Sequence, residues 1–420
     1  MNNGESNISD SKDLEKPDYL NPYAQPVPVG IGSHLKDVHI ASSEEFPSPG
    51  SGKDDENGKP LALQYPGKRP EKSFSVFGGH VSPGEFLASH PVLSVDEVRA
   101  EGTPAFYVKV NNENSTSESS SFEFDDELVF NIDDLLSSVE AVPMKDRYPV
   151  IAFGSNANPG QLIQKFKDLE GADRNIVTTL HASVKGVVPV YVARIGLNGY
   201  VFTDLFPTDD PEAECEVFIN FLSRAQLEAM DATEKAYSLC EISDVSIKTS
   251  GEDFKTHAYL YVGKVKEGED GAKGAGVLTD EKGRPIRLAE LNANGAKIDD
   301  EFGAMTQTEV QRYIYKIAGA HIADAFRLKE YPQNETEIAR MIINRTKDER
   351  LDDFRQQAKT NARYIKNGKF LLGRAINEAV QEAIRSTGRT TPERSIRGII
   401  QEEMQDISVD RVKTFTELNH

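Results

Sequence analysis

The stretch that most constrains this chain is Pro149-Val-Ile-Ala-Phe-Gly-Ser-Asn-Ala-Asn-Pro-Gly160. Val150, Ile151 and Phe153 make a short apolar run bounded by Pro149 and Gly154, the pattern of a buried strand. Gly154-Ser155-Asn156 interrupts it with residues that tolerate unusual backbone angles. Asn158 then reads as an N-cap and Pro159 as the first helical residue. Leu162, Ile163, Phe166 and Leu169 supply one apolar face for the helix that follows. A strand, a polar glycine loop and a helix start bring free N–H groups to one point and favour negative charge there. An ordinary strand-to-helix connection has the same local pattern, so the run by itself fixes local structure rather than chemistry.

A second stretch follows about eighty residues on. Cys215, Val217, Ile219 and Phe221 alternate with Glu216 and Asn220, which is strand periodicity. Ser223-x-x-Gln226 is a capping box for a helix that carries Leu227, Met230 and Asp231 on one face. Glu234 continues that face at i+7, so a helix of that length would turn its carboxylate inward.

Together the two stretches resemble the γ-glutamylcyclotransferase-like superfamily. Phe153-Gly-Ser-Asn156 resembles its Tyr-Gly-Ser-Asn-Leu loop, and Glu216 to Glu234 is similar to its strand, helix and Leu-Asp-x-x-Glu-Gly signature. The resemblance covers about Tyr148 to Gly263. It implies an α+β fold with a small mixed barrel-like sheet and flanking helices, and no cofactor. It also implies a reaction, in which the α-amine of a γ-glutamyl amide attacks its own γ-carbonyl, giving 5-oxoproline and a freed amine. Glu234 would be the general acid/base, and Gly154, Ser155, Asn156 and Ala157 the substrate-binding loop. One carboxylate suffices because the attacking amine loses a proton and the leaving amine gains one. Phe153 stands where the family commonly has Tyr, Ala157 where it has Leu, and Lys235 where Gly is frequent. Lys235 would put a cation next to Glu234. Tyr237 corresponds to a Tyr that often follows the glutamate, with core packing as its other reading. A binding or scaffold protein on the same fold, without turnover, is the alternative, since a fold does not fix a function.

The flanks divide the chain further. Residues 1–73 read as largely irregular, with Ser42 to Pro60 as a long surface loop. Residues 74–147 form an α/β extension. Here Ser82-Pro83 starts a short helix through Leu87, and Ser94-x-x-Glu97 caps another ending at Gly102. Ala105 to Val110 is a strand, Asn111 to Ser121 a loop, and Phe122 to Val139 a strand followed by a short helix. Within 148–263, Val187 to Val192, Cys240 to Ile247 and Thr256 to Val262 are strands, and Asn198-Gly199 suits a type I′ hairpin tip. Residues 264–305 read as a linker or long hairpin. Residues 306–420 read as a helical subdomain opening with the Thr306-x-x-Glu309 capping box, with helices over 335–344, 347–366, 369–386 and 392–405. Its apolar faces call for packing against the central region or a second copy of the chain.

Composition sets outer bounds. A formal charge of −20, from 68 acidic and 48 basic residues, disfavours nucleic acid and anionic membrane as partners. Two cysteines are too few for a disulfide framework and fit a reducing cytoplasm. The polar N-terminus lacks a signal-peptide pattern, and the most apolar run, Val184 to Ile195, is broken by Lys185, Pro189 and Arg194. The eight histidines are scattered, without metal-ligand spacing. The resemblance, and not composition, implies a small γ-glutamyl or related amide as the partner.

Overall fold

A computed structural model describes residues 45–77, 80–82, 85–86, 92–100, 103–111, 127–248, 253–264, 266–268, 271–273, 276–325, 332–347, 368–391 and 406–419. The loop expected at 111–121, beyond Asn111, the helix expected at 347–366, beyond Lys347, and the helix expected at 392–405 lie outside these residues. The chain is α+β. In order come β1 (Phe74–Phe77), β2 (Val92–Ala100), β3 (Thr103–Asn111), β4 (Glu127–Asn131), α1 (Ile132–Ser138) and β5 (Tyr148–Ala152). Then follow α2 (Pro159–Phe166), β6 (Ile176–Lys185), β7 (Val187–Ile195), β8 (Val201–Pro207), β9 (Glu214–Leu222) and α3 (Arg224–Thr233). Next are β10 (Tyr237–Ile247), β11 (Phe254–Gly263), β12 (Val277–Leu278), β13 (Ile286–Leu288) and β14 (Gly303–Met305). The last long elements are α4 (Gln307–Ala325), α5 (Glu335–Lys347) and α6 (Gly368–Arg385). Among the described residues no helix is long and apolar enough to cross a membrane.

Five strands close on themselves. β9 pairs with β5 on one side and β6 on the other, β6 with β10, β10 with β11, and β11 with β5. All these pairs are antiparallel except β5–β11, where Tyr259 lies opposite Val150 in parallel. Closure removes the free edges that an open sheet of five strands would expose. β1 pairs with β6, and β2, β3 and β4 follow outward from it. A second sheet, β14–β13–β7–β12, has β8 paired to β7.

The two-residue period of the strands separates two apolar clusters. Val150 and Ala152 of β5, Phe218 of β9, and Tyr259 and Tyr261 of β11 pack beneath α2 and α3, where they meet Leu162, Phe166, Leu227 and Met230. Ile151, Ile219, Leu260 and Val262 face the larger cluster, which also contains Tyr191, Leu205, Val310 and Ile314. Arg147, fully buried, ties the start of β5 to this assembly. It donates to the carbonyls of Val142 (3.0 Å) and Phe221 (3.1 Å) and to Oε1 of Gln226 (3.4 Å), the glutamine of the α3 capping box. Burial pulls its guanidinium down to about 10, which leaves it charged at neutral pH.

Several expectations for the flanks are corrected. The described residues of the helix expected at 82–87, Ser82 and Glu85–Phe86, lie in short paired strands, His80–Ser82 and Glu85–Phe86, and not in a helix. Ser94 and Glu97 lie inside β2, opposite Phe74 and Phe106, so pairing on both sides of a valine-rich segment overrides the capping pattern. Ser42 to Pro60 is more than a surface loop: Phe46 is buried and its carbonyl accepts the N–H of Gly160 at 3.2 Å. Nor is 264–305 only a linker. After the small hairpin Lys266–Gly268 with Gly271–Lys273, Leu278, Ile286 and Leu288 of the second sheet are buried in the larger cluster, and Phe302 is buried in a separate one. The tail shares the core of the rest, because Val310, Ile314 and Ile322 of α4 belong to the barrel's larger cluster. Asn198-Gly199 does sit at the β7–β8 tip, but only Gly199 has positive φ, at 88°. Its N–H reaches Gly196 O at 2.9 Å and Gly196 N–H reaches Tyr200 O at 2.8 Å, so a wider turn with one left-handed residue replaces the type I′ pair.

Candidate functional site

The loop after β5 is built from three directions. Ser155–Ala157 forms a 3₁₀ turn, and Asn158 caps α2 by accepting from the Gln161 N–H at 2.8 Å, with Pro159 in the first turn. The Asn158 amide donates to Lys68 O at 2.6 Å, which fastens the segment before β1 to the loop. From below, the Asn220 amide of β9 donates to Asn156 O at 2.9 Å, and its own Oδ1 accepts from the Thr179 hydroxyl of β6 at 2.8 Å. Asn220 is fully buried, so this polar pair is committed to holding the loop on the barrel wall.

Gly154 meets Tyr65 there. A Cβ at Gly154 would collide with the Tyr65 hydroxyl, which is held by Thr203 Oγ1 at 3.0 Å and cannot swing away freely. Gly154→Ala should therefore cost about 1–3 kcal/mol through forced displacement of a packed ring. Urea denaturation of the variant beside wild type measures it.

Glu234 comes to the same place. α3 stops at Thr233, and Glu234 is its C-cap, with φ −91°, ψ 38° and its N–H on Asp231 O at 3.1 Å. Leu227 and Met230 are buried while Asp231 is exposed, so Asp231 does not share the buried face expected of it. Asn156 Nδ2 donates to Glu234 Oε1 at 3.1 Å. Lys165 Nζ, from the last turn of α2, lies 2.5 Å from the same oxygen and 2.8 Å from Thr233 Oγ1. The Lys165 and Glu234 side chains are only 8 % and 15 % exposed. The expected neighbouring cation, Lys235, is exposed instead.

These groups line a cavity of about 570 Å³. Phe153, Gly154, Ser155, Asn156, Glu234 and Tyr237 all contribute to it. Ala157 does not. It is fully buried in the cluster under α2, and its N–H closes the turn on Gly154 O at 3.1 Å. The opposite wall is aromatic. Tyr65 stacks on Tyr200 with centroids 4.6 Å apart, and Phe202 meets Tyr200 and Tyr237 edge-on. The Tyr237 hydroxyl donates to Thr203 O at 3.1 Å. Burial pushes the Tyr200 hydroxyl up to about 12 and those of Tyr65, Tyr237 and Tyr261 higher than ordinary as well, so the phenols stay neutral at pH 7.

Tyr65, Lys165 and Tyr200 were not legible as site residues. Tyr65 had one signal, the apolar run Leu61-Ala-Leu-Gln-Tyr65 inside an otherwise polar segment, which folds as a buried 3₁₀ turn. Among the described residues no group of three or more His, Cys, Asp and Glu side chains is placed to hold a metal ion.

Asp204 sits behind this wall, next to Thr203. It is 5 % exposed, and its carboxylate accepts from the Gly263 N–H at 3.1 Å and from the Leu205 N–H at 2.9 Å. Burial outweighs these bonds and pushes its carboxyl from 3.8 up to about 6. A raised acid binds its proton more tightly in the folded chain. Its contribution is therefore full below about pH 4 and is lost as pH rises to about 6, a change of about 3 kcal/mol. Asp204→Asn should gain on wild type by that order across the same window, read from urea midpoints at pH 3.5 and 7. A constant difference between the two proteins would contradict it.

No protein-family model, no curated protein and no solved structure matches this chain.

Proposed function

We propose that the chain is a γ-glutamylcyclotransferase-like enzyme that converts a γ-glutamyl amide to 5-oxoproline and a free amine. One observation carries the reading: Glu234 and the Gly154–Asn156 loop, far apart in sequence, share one cavity and are hydrogen-bonded to each other. In the proposed reaction the substrate's α-amine nitrogen forms a bond to its own γ-carbonyl carbon, and the amide C–N bond breaks. The proton lost by the attacking nitrogen passes to Glu234 and then to the departing nitrogen. No covalent enzyme intermediate is required, because both reacting groups belong to one molecule and the cavity's task is to hold them in contact. Gly154 and Asn156 line the side where the developing oxyanion would sit. Tyr65, Tyr200 and Phe202 would wall off water. Cys215 and Cys240 are buried thiols, which suits a cytoplasmic setting.

The ion pair between Lys165 and Glu234 favours a second reading. The Lys165 ammonium occupies the Glu234 oxygen that a proton would need, and a binding protein on this fold would keep such a pair permanently. Incubation with a panel of γ-glutamyl amides, followed by chromatography for 5-oxoproline and the released amine, separates the two. Turnover of any member supports the enzyme, and binding without turnover supports the alternative.

A further inference from the structure

We infer that Lys165 is the seat for a carboxylate on the ligand of this cavity, and that its pairing with Glu234 is a resting state which that carboxylate breaks. The inference rests on the cyclotransferase reading for its substrate class.

The loop is poorly supplied to hold an anion alone. Ala157 and Asn158 spend their N–H groups on Gly154 O and Ser155 O, and the Ser155 N–H lies against the Tyr65 hydroxyl. Only the N–H groups of Gly154 and Asn156 are left over, too few to satisfy a carboxylate's two oxygens well. Lys165 is the one cationic side chain among the described residues that line the cavity. An ammonium has three N–H bonds, and Glu234 and Thr233 take two of them. At 8 % exposure Lys165 is shielded from the solvent competition that weakens surface ion pairs.

The cavity also has an acceptor that lacks a donor. Asn156 gives its Nδ2 to Glu234, while its Oδ1 is buried without a hydrogen-bond partner. A buried amide oxygen left bare is costly, and a ligand N–H beside the seated carboxylate would satisfy it. An anion-seeking group and a donor-seeking group, both bonded to the same oxygen of Glu234, fit an α-amino acid end, carboxylate toward Lys165 and nitrogen toward Asn156.

The exchange balances in charge. A substrate entering as a zwitterion gives its carboxylate to the Lys165 ammonium. Glu234, released, takes one proton from the substrate's α-ammonium, which leaves a neutral amine ready to attack. Lys165 with the substrate carboxylate, and neutral Glu234 with the neutral amine, then carry no net charge together.

The test uses two probes that cannot react further, 5-oxoproline and its carboxamide, titrated calorimetrically into wild type, Lys165→Met and Lys165→Arg. 5-Oxoproline carries no α-ammonium, so Glu234 takes its balancing proton from the buffer, and wild type is expected to bind 5-oxoproline at least about tenfold more tightly than the neutral carboxamide, the worth of one buried charge-assisted bond. Lys165→Met should erase that preference and Lys165→Arg should keep most of it. Thermal melts check that each variant is folded, with Lys165→Gln in place of the methionine variant if that one is not. Equal preference in wild type and the neutral variant, or no binding of 5-oxoproline to wild type, overturns the inference. Failure of the enzyme reading looks different. A protein with the Lys165-dependent preference that releases no 5-oxoproline from any γ-glutamyl amide keeps the anion seat and loses the reaction.

Discussion

Glu234→Gln is expected to lower the rate of 5-oxoproline release by about two to four orders of magnitude, the usual contribution of one general acid/base. The substitution preserves size and the capacity to accept from Asn156 Nδ2 through Oε1, so the 3.1 Å contact survives. It removes the charge that holds Lys165, and it removes the site where a proton can rest between the attacking and the leaving nitrogen. Substrate affinity should change far less than turnover, because the aromatic wall and the loop are untouched; a fall in kcat with little change in KM is the signature. Glu234→Asp should be weakly active, since its shorter side chain draws the carboxylate away from Asn156 and Lys165. Asp231 is exposed and does not line the cavity, so it is not placed to take over either role. An unchanged rate in Glu234→Gln would move the proton transfer to another group.

A chain ended at Met305 is expected not to fold. Val310, Ile314 and Ile322 of α4, Val380 and Ile384 of α6, and Phe415 are all buried to 5 % exposure or less, in the same cluster as the barrel strands. At about 1.5–3 kcal/mol for each large apolar side chain removed from contact, these six alone account for about 10–20 kcal/mol. That matches or exceeds the whole stability of an ordinary domain. Polar ties would go too. Tyr313 Oη donates to Thr279 O at 2.8 Å, Gln311 Nε2 to Gly199 O at 2.6 Å, and the Phe415 N–H to Arg147 O at 2.7 Å. The shortened chain should aggregate or bind hydrophobic dyes and lose its cooperative melt. A soluble product with an unchanged melting temperature would mean that the tail is an independent module.

What the sequence revealed was the part governed by local rules. Asn158, Ser223 and Thr306 cap helices as their spacing predicts, because an N-cap needs only three following residues. The alternation in β9 and β11 was legible because each strand places its two faces in different apolar clusters. β6 was missed for the opposite reason. Ile176-Val-Thr-Thr-Leu-His-Ala-Ser-Val-Lys185 is buried almost throughout, lies between β9 on one side and β1 and β10 on the other, and so carries no clean two-residue pattern. The flanks misled where pairing decided the outcome. Ser94-x-x-Glu97 is a good helix start in isolation and a strand once β1 and β3 lie beside it.

The site followed the same division. Glu234 and Gly154-Ser155-Asn156 were found through motifs, yet the groups that set their chemistry come from elsewhere. Lys165 belongs to no motif; it reaches Glu234 because α2 and α3 pack side by side over the barrel. Tyr65 arrives from a segment whose composition looks irregular and whose order depends on Gly67, at φ 97°, and on the Asn158 side chain. Contacts made by long-range closure leave no periodic trace in the chain.

The central claim is that an amine within the substrate, and not water, attacks the γ-carbonyl. The most direct measurement is isotopic: a γ-glutamyl amide carrying ¹⁵N at its α-amine, turned over in H₂¹⁸O and analysed by mass spectrometry. Cyclisation predicts 5-oxoproline that retains the ¹⁵N and contains no ¹⁸O, with an unlabelled amine released. Glutamate carrying ¹⁸O in its γ-carboxylate, or no product from any γ-glutamyl amide, would contradict it.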